Sequence, residues 1–147
     1  MKSFEEIWQR AVERKGAGAV EDQMPTVKSQ DELRAISDDR WLAQMTRSVF
    51  QAGFSWKVIE AKWPGFEEAF EGFDPERWAF MRDRDLSRLL KDVRIVRHEK
   101  KILSVPMNAQ LLCDLAAEHG SAAAAFAAWP STEYVDLLDL LRSRGSR

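Results

Sequence analysis

Apolar residues recur along this chain at spacings of three and four, and strict apolar–polar alternation is almost absent, so the pattern predicts helices and no strands. Ser3 with Glu6 makes a capping box ahead of Ile7, Trp8, Ala11 and Val12, which share one side of a first helix. Gly16-Ala-Gly18 is expected to end it, and residues 16–28, with Pro25, read as a connector. Ser29 with Glu32 is a second box, opening a short helix through Ala35 or Ile36. Asp38 or Asp39 starts the next, on which Trp41, Leu42, Met45, Val49 and Ala52 can face a core. Gly53 can turn left-handed, and Ser55 offers a side-chain oxygen to cap a helix running to about Lys62, with Val58 and Ile59 inward.

Pro64 suits the first turn of a separate helix carrying Phe66, Ala69 and Phe70. Gly72 ends that helix, and Phe73 anchors the exit. Asp74-Pro75 starts another, with Trp78 and Met81 on its apolar side, and Asp83 or Asp85 opens one carrying Leu86, Leu89 and Leu90. Ile102, Val105, Ala109, Leu112 and Ala116 mark a long helix ending at His119-Gly120; Pro106 inside it predicts a kink or a later start. Ser121 caps an alanine-rich segment to Trp129, Pro130 breaks it, and Ser131 or Thr132 begins a last helix through Leu141. The expected fold is all-α, about ten short helices in a single domain over residues 1–147.

Composition narrows the function classes. With 147 residues, 45% hydrophobic and 31% charged, the chain reads as soluble and globular. A net charge of −2 gives no global attraction to nucleic acid or membrane, so such binding must come from a local patch. The lone Cys113 excludes an intramolecular disulfide and any multi-cysteine metal site. The start lacks the apolar core of a signal peptide and no run approaches a membrane span, so the expected compartment is the cytoplasm.

Two stretches carry candidate chemistry. In Gln51-Ala-Gly-Phe-Ser-Trp56 the indole of Trp56 falls in the first turn of a helix, next to a polar strip formed by Ser48 and Gln51 on the preceding one. That arrangement suits a pocket for something flat; residue chemistry alone favours the other reading, in which Phe54 and Trp56 fill the crevice between two helices, as aromatics at such junctions usually do. In Leu86–Lys101 a short turn with an apolar centre is surrounded by Lys91, Arg94, Arg97, Lys100 and Lys101, against only Asp92 and Glu99. A helix start exposes backbone N–H groups, which with nearby cations bind phosphate without reading sequence. The alternative is a solvated cationic corner.

Gln51-Ala-Gly-Phe-Ser-Trp56, Phe66-Glu-Glu-Ala-Phe70, Phe73-Asp-Pro75, Leu90-Lys-Asp-Val-Arg-Ile-Val-Arg-His98, Lys101-Ile102 and Asn108-Ala109 together resemble the DNA-3-methyladenine glycosylase I family, over roughly residues 41–112. The resemblance implies a helix-hairpin-helix glycosylase fold, no redox or nucleotide cofactor, and double-stranded DNA with an alkylated base as partner. The family flips an alkylated purine from the duplex and cleaves its glycosidic bond. It implies a base pocket at Ser48, Gln51 and Trp56, and a DNA-backbone-binding hairpin using Lys91, Arg94, Arg97, His98, Lys100 and Lys101.

The departures are specific. Ser48 stands where the family has a pocket glutamate, and Asp92 or Asp114 are the acids considered as substitutes. The family's zinc site cannot exist, since no histidine precedes His98 and no cysteine precedes Cys113. His98 matches a hairpin position, and His119 is read as a helix-end residue favoured by the dipole. Arg94 replaces the hairpin glycine and disfavours a left-handed backbone there. The family continues beyond a segment like Leu137–Gly145, so either the chain is C-terminally shortened or a second copy supplies the remaining core. Three readings follow: a divergent glycosylase, a catalytically silent DNA- or lesion-binding relative, and an all-α partner-binding module that keeps only the scaffold.

Overall fold

The computed structural model describes residues 2–22 and 26–146, and its axis is the long helix α8 (Glu99–His119). Pro25, read above as part of a connector, lies outside the described residues. Ile102, Val105, Ala109, Leu111, Leu112 and Leu115 are buried along α8, against α4 (Asp38–Gln51), α6 (Pro75–Ala79) and α9 (Ala122–Ala128). The helix begins at Glu99 and runs unbroken through Pro106, so the later start does not occur. A proline in a helix interior costs about 3 kcal/mol. Burying a single large aliphatic side chain contributes about 2 kcal/mol, and α8 buries several within a turn of Pro106. Packing wins.

The same contest decides α5 (Trp56–Ala69). The two helices expected on either side of Pro64 are one, because Ile59, Trp63, Phe66 and Phe70 continue a single buried stripe at helical spacing while Pro64 lies on the exposed side. Trp63 stacks on Phe66 at 5.4 Å and on Phe73 at 5.5 Å, and Phe50 of α4 meets Phe66 edge-on at 4.7 Å. A 3₁₀ turn (Glu71–Phe73) then reverses the chain with three successive residues at positive φ: Glu71, Gly72 and Phe73. The two non-glycine members are held there by the complete burial of Phe73 and by Arg40, which donates to the Gly72 carbonyl at 2.9 Å. Trp78 of α6 is buried below this turn, with its indole N–H donated to the Phe70 carbonyl at 2.6 Å.

Local capping signals are realised where the expected side chains reach. Both reciprocal boxes form, Ser3 with Glu6 at α1 (Phe4–Lys15) and Ser29 with Glu32 at α3 (Gln30–Arg34). Asp74 accepts from the Glu76 N–H at α6, and Ser121 from the Ala124 N–H at α9. Asp38 adds what the sequence did not reveal: its carboxylate accepts from the Ala122 and Ala123 N–H groups at 3.2 Å each, so α4 begins by capping α9.

Three expectations are corrected. The segment read as a connector from residue 16 contains a further helix, α2 (Ala17–Glu21), which packs on α1. Ser55 occupies the cap position of α5, yet its hydroxyl makes no capping bond. The final helix, α10 (Tyr134–Arg144), starts later than Ser131 or Thr132, because the Glu133 N–H closes a turn onto the Pro130 carbonyl and the Trp129 indole donates to the Glu133 carbonyl. Among the described residues there is no strand, and no helix is long and apolar enough to cross a membrane.

Candidate functional site

The α4–α5 junction decides between the two readings of its aromatics. Gly53 takes φ +66° and turns the chain, and Trp56 at the start of α5 is 67% exposed. It does not fill the crevice. Phe50, Ile59 and Trp63 do, leaving the Trp56 indole face available. Ser48 is exposed, and its hydroxyl donates to the Gln44 carbonyl at 3.0 Å, back onto its own helix. Gln51, in the last turn of α4, donates its side-chain amide to Oε1 of Glu60 on α5 at 2.8 Å.

That last bond belongs to a ladder which sequence reasoning missed. Arg40, Gln44, Arg47 and Gln51 form one stripe of α4; Trp56, Glu60, Trp63 and Glu67 form one stripe of α5, at the same 4-3-4 spacing. The stripes are cross-linked. The Arg47 guanidinium lies over the Trp63 ring at 4.3 Å, with its Nε 3.8 Å from Glu60. Arg40 makes a two-pronged bond to Glu67 at 2.8 and 3.0 Å, and the Trp63 indole donates to the same carboxylate at 2.9 Å. Hydrogen bonding to Glu67, then to Asp39, holds the Arg40 guanidinium above its usual range. A cleft of about 240 Å³ opens along the ladder between Arg40, Gln44, Arg47, Trp63 and Glu67. The repeated 4-3-4 spacing was a signal available in the sequence; which stripes face each other was not.

The cationic turn joins α7 (Asp83–Leu89) to α8, and it divides the expected phosphate-binding set. Lys101 is partly buried, and its ammonium donates to the Phe50 carbonyl at 3.1 Å and the Ala52 carbonyl at 2.7 Å, closing the end of α4. Arg94 is bound to Asp92 at 2.6 Å and Glu68 at 2.8 Å, and this pairing keeps the Asp92 carboxyl below the usual range. Both were expected as phosphate contacts; as folded, each also bonds to groups of the protein that hold this corner. His98 is the N-cap of α8, its Nδ1 accepting from the Lys101 N–H at 3.4 Å. Lys91, Arg97 and Lys100 are exposed and make no ion pair with the described residues.

Arg94 does not need a left-handed backbone: among the described non-glycine residues only Glu71 and Phe73 have positive φ. The close approach falls instead at Gly65 of α5, where a Cβ would lie 2.8 Å from both the Cβ and the carbonyl oxygen of Arg94. Lys62 secures the same contact by donating to the Val93 carbonyl at 2.8 Å.

Neither acid considered as a stand-in for a carboxylate at Ser48 reaches the groove. Asp92 is spent on Arg94, and Asp114 accepts from Gln110 and lies 3.7 Å from Arg144. Among the described residues no group of three histidine, cysteine or acidic side chains comes together as a metal site. His98 and His119 lie at opposite ends of α8, about 30 Å apart by helix rise. Burial, reinforced by the acids around it, pushes the Cys113 thiol up, away from the thiolate a nucleophile needs.

By fold, then, the chain is an all-α domain presenting an exposed indole at the start of α5, a polar cleft between α4 and α5, and a cationic helix–helix corner. Residues 32–136 match the methyladenine glycosylase family, and the chain belongs to it. It is 38% identical over 60 residues to DNA-3-methyladenine glycosylase 1 of Escherichia coli K12, a match covering 41% of this chain and 32% of that protein. It is 33% identical over 60 residues to a DNA-3-methyladenine glycosylase of Haemophilus influenzae, again covering 32% of the relative. The chain thus spans about a third of the length of the curated relatives it matches. Among solved structures, a 3-methyladenine DNA glycosylase I superposes with a TM-score of 0.63 at 27% identity, covering 76% of this chain and 71% of that one. The Staphylococcus aureus enzyme, described for its recognition of 3-methyladenine, gives 0.58 at 30% identity, covering 61% and 48%.

Proposed function

We propose that this chain is a DNA repair glycosylase that binds double-stranded DNA, takes a flipped alkylated purine onto Trp56, and hydrolyses its glycosidic bond. The exposed Trp56 indole, held at the start of α5, carries the reading. Stacking a base on such a face contributes about 1–3 kcal/mol, and the cation of an N3-alkylated adenine adds about 1 kcal/mol over the neutral base. Ser48 and Gln51 complete the base pocket, and residues 1–147 act as one cytoplasmic domain. Lys91, Arg97 and Lys100, with His98 at the head of α8, meet the phosphates; Arg94 and Lys101 shape the turn that presents them. In the reaction, water adds to the anomeric carbon as the bond to the base nitrogen breaks. The bonding electrons leave with the alkylated base, which departs neutral because it was cationic in DNA, and the water loses a proton to solvent.

One observation favours a second reading, recognition without cleavage. The Ser48 hydroxyl is turned back to its own helix, and no carboxylate occupies that position to steady the developing oxocarbenium charge. Release of free base from duplex DNA carrying 3-methyladenine separates the two. Release by the unchanged protein establishes the glycosylase. Release only after Ser48→Glu establishes the silent relative with an intact pocket, and no release from either folded protein overturns the glycosylase.

A further inference from the structure

Two helices carry apolar side chains that the core does not use. Helix α1 places Phe4, Ile7, Trp8 and Ala11 on one side at helical spacing, yet none of its residues is buried and none belongs to the core. It packs on α2, itself without a buried residue. Phe4 stacks on Trp8 at 6.2 Å, which gathers the two rings into one patch. Near the other end of the chain, α10 turns Leu140 and Leu141 to the core and leaves Tyr134, Val135 and Leu138 outside. Phe4, Ile7, Tyr134, Val135 and Leu138 are each at least 55% exposed. Single exposed apolar residues need no explanation, but two stripes of them do. The helices that carry the stripes are also nearly equal in length, 12 and 11 residues.

The charges at the helix ends are complementary in one direction only. Helix α1 opens with Glu5 and Glu6 and closes with Arg14 and Lys15. Helix α10 opens with Asp136, just after Glu133, and closes with Arg142 and Arg144. Laid side by side and antiparallel, acidic end meets basic end twice, and the two helix dipoles oppose. Laid parallel, like charges meet at both ends. Arg144 is already held by Glu118 at 2.7 Å, so Arg142 is the exposed cation available to Glu5. We propose that α1 of one copy of this chain docks antiparallel on α10 of a second copy, reciprocally about one twofold axis, so that the pair is a closed dimer. Symmetry selects this pairing over the alternatives. If α1 met α1 and α10 met α10, each contact would need its own twofold axis, and two such axes lead to larger or open assemblies. One reciprocal exchange covers both stripes and closes. The inference does not depend on the base-site reading and concerns the helices outside it.

The test is sedimentation velocity of the full chain, which is expected to pass from monomer to dimer across about 1–100 µM, as suits two small contacts. Ile7→Glu and Leu138→Glu change side chains exposed in the single chain, so both variants should keep the helical circular dichroism while weakening the dimer about tenfold or more. Neither variant can form an intact contact with itself. An equimolar mixture can form one, between the unaltered α1 of the Leu138→Glu chain and the unaltered α10 of the Ile7→Glu chain, and should show more dimer than either variant alone. Glu5→Arg and Arg142→Glu should each weaken the dimer about threefold at low salt, and combining them should recover the loss. A chain that stays monomeric across the whole range overturns the proposal. Dissociation by Ile7→Glu alone would mean that α1 pairs with α1, and by Leu138→Glu alone that α10 pairs with α10; either result overturns it. A combined charge variant no tighter than the single ones overturns the antiparallel docking.

Discussion

Trp56 is exposed where most tryptophans of this chain are packed, and its value lies in that exposure. Trp56→Ala should lower affinity for a duplex carrying an alkylated or flipped purine about tenfold or more, and leave undamaged duplex within about twofold, as read by fluorescence anisotropy on matched oligonucleotides. Equal losses on both duplexes would remove the stacking role. Asp85 makes the opposite use of its position. It is buried, accepting from Arg77 at 2.8 Å and from the Arg82 N–H at 3.0 Å. The Arg77 hydrogen bond lowers its pKa against the opposing effect of burial. A carboxyl depressed on folding stabilises the native state above its unfolded value near 3.9, and that contribution disappears as pH falls through the lower folded value. Asp85→Asn should therefore cost about 1–2 kcal/mol at neutral pH, at the low end because Arg77 is partly exposed, and should flatten the fall of melting temperature below about pH 4. An unaltered acid limb of the melting curve would show that Asp85 is not the group titrating there.

Between elements, the contact of α5 with the α7–α8 turn is set by one missing methyl. Gly65→Ala gains about 1 kcal/mol of helix propensity, yet its Cβ would meet Arg94 backbone and Cβ at 2.8 Å. Overpacking against backbone typically costs about 1–3 kcal/mol, so a net loss of stability in denaturant titration is expected, accompanied by weaker duplex binding as the corner shifts. A more stable variant would mean that the turn yields freely. Helix identity was legible in most of the chain, because capping boxes and three–four apolar spacing are local. Boundaries failed where local chemistry was outvoted. Pro64 and Pro106 both signal a break, and both are overridden by stripes that bury Trp63 and Phe66 on one side and Val105 and Ala109 on the other.

For the whole molecule, charge count and charge use diverge. Six residues around the turn read alike as phosphate contacts; Arg94 and Lys101 bond to groups of the fold itself, His98 caps α8 while remaining exposed, and Lys91, Arg97 and Lys100 are exposed and make no ion pair with the described residues. Neighbouring lysines should therefore behave differently. Lys101→Ala should destabilise the fold by about 1 kcal/mol, since two carbonyls at the end of α4 lose their donor, as seen in thermal melts. Lys100→Ala should leave the melt unchanged and reduce the slope of duplex affinity against salt by about one ion. The reverse pattern would exchange their roles.

What the residues determined by themselves is the set of local decisions: where helices start, which faces are apolar, and that an aromatic opens α5 after a glycine turn. These depend on neighbours three or four positions away, which a linear reading contains. What only the tertiary structure decided is which polar groups are already spent. Arg40 finds Glu67 across 27 positions, Lys101 finds the Ala52 carbonyl across 49, and Gln51 finds Glu60 only because α4 and α5 fold back on each other. A charge satisfied at such a distance looks, along the chain, the same as one held out to solvent, and only the packing of helices tells them apart.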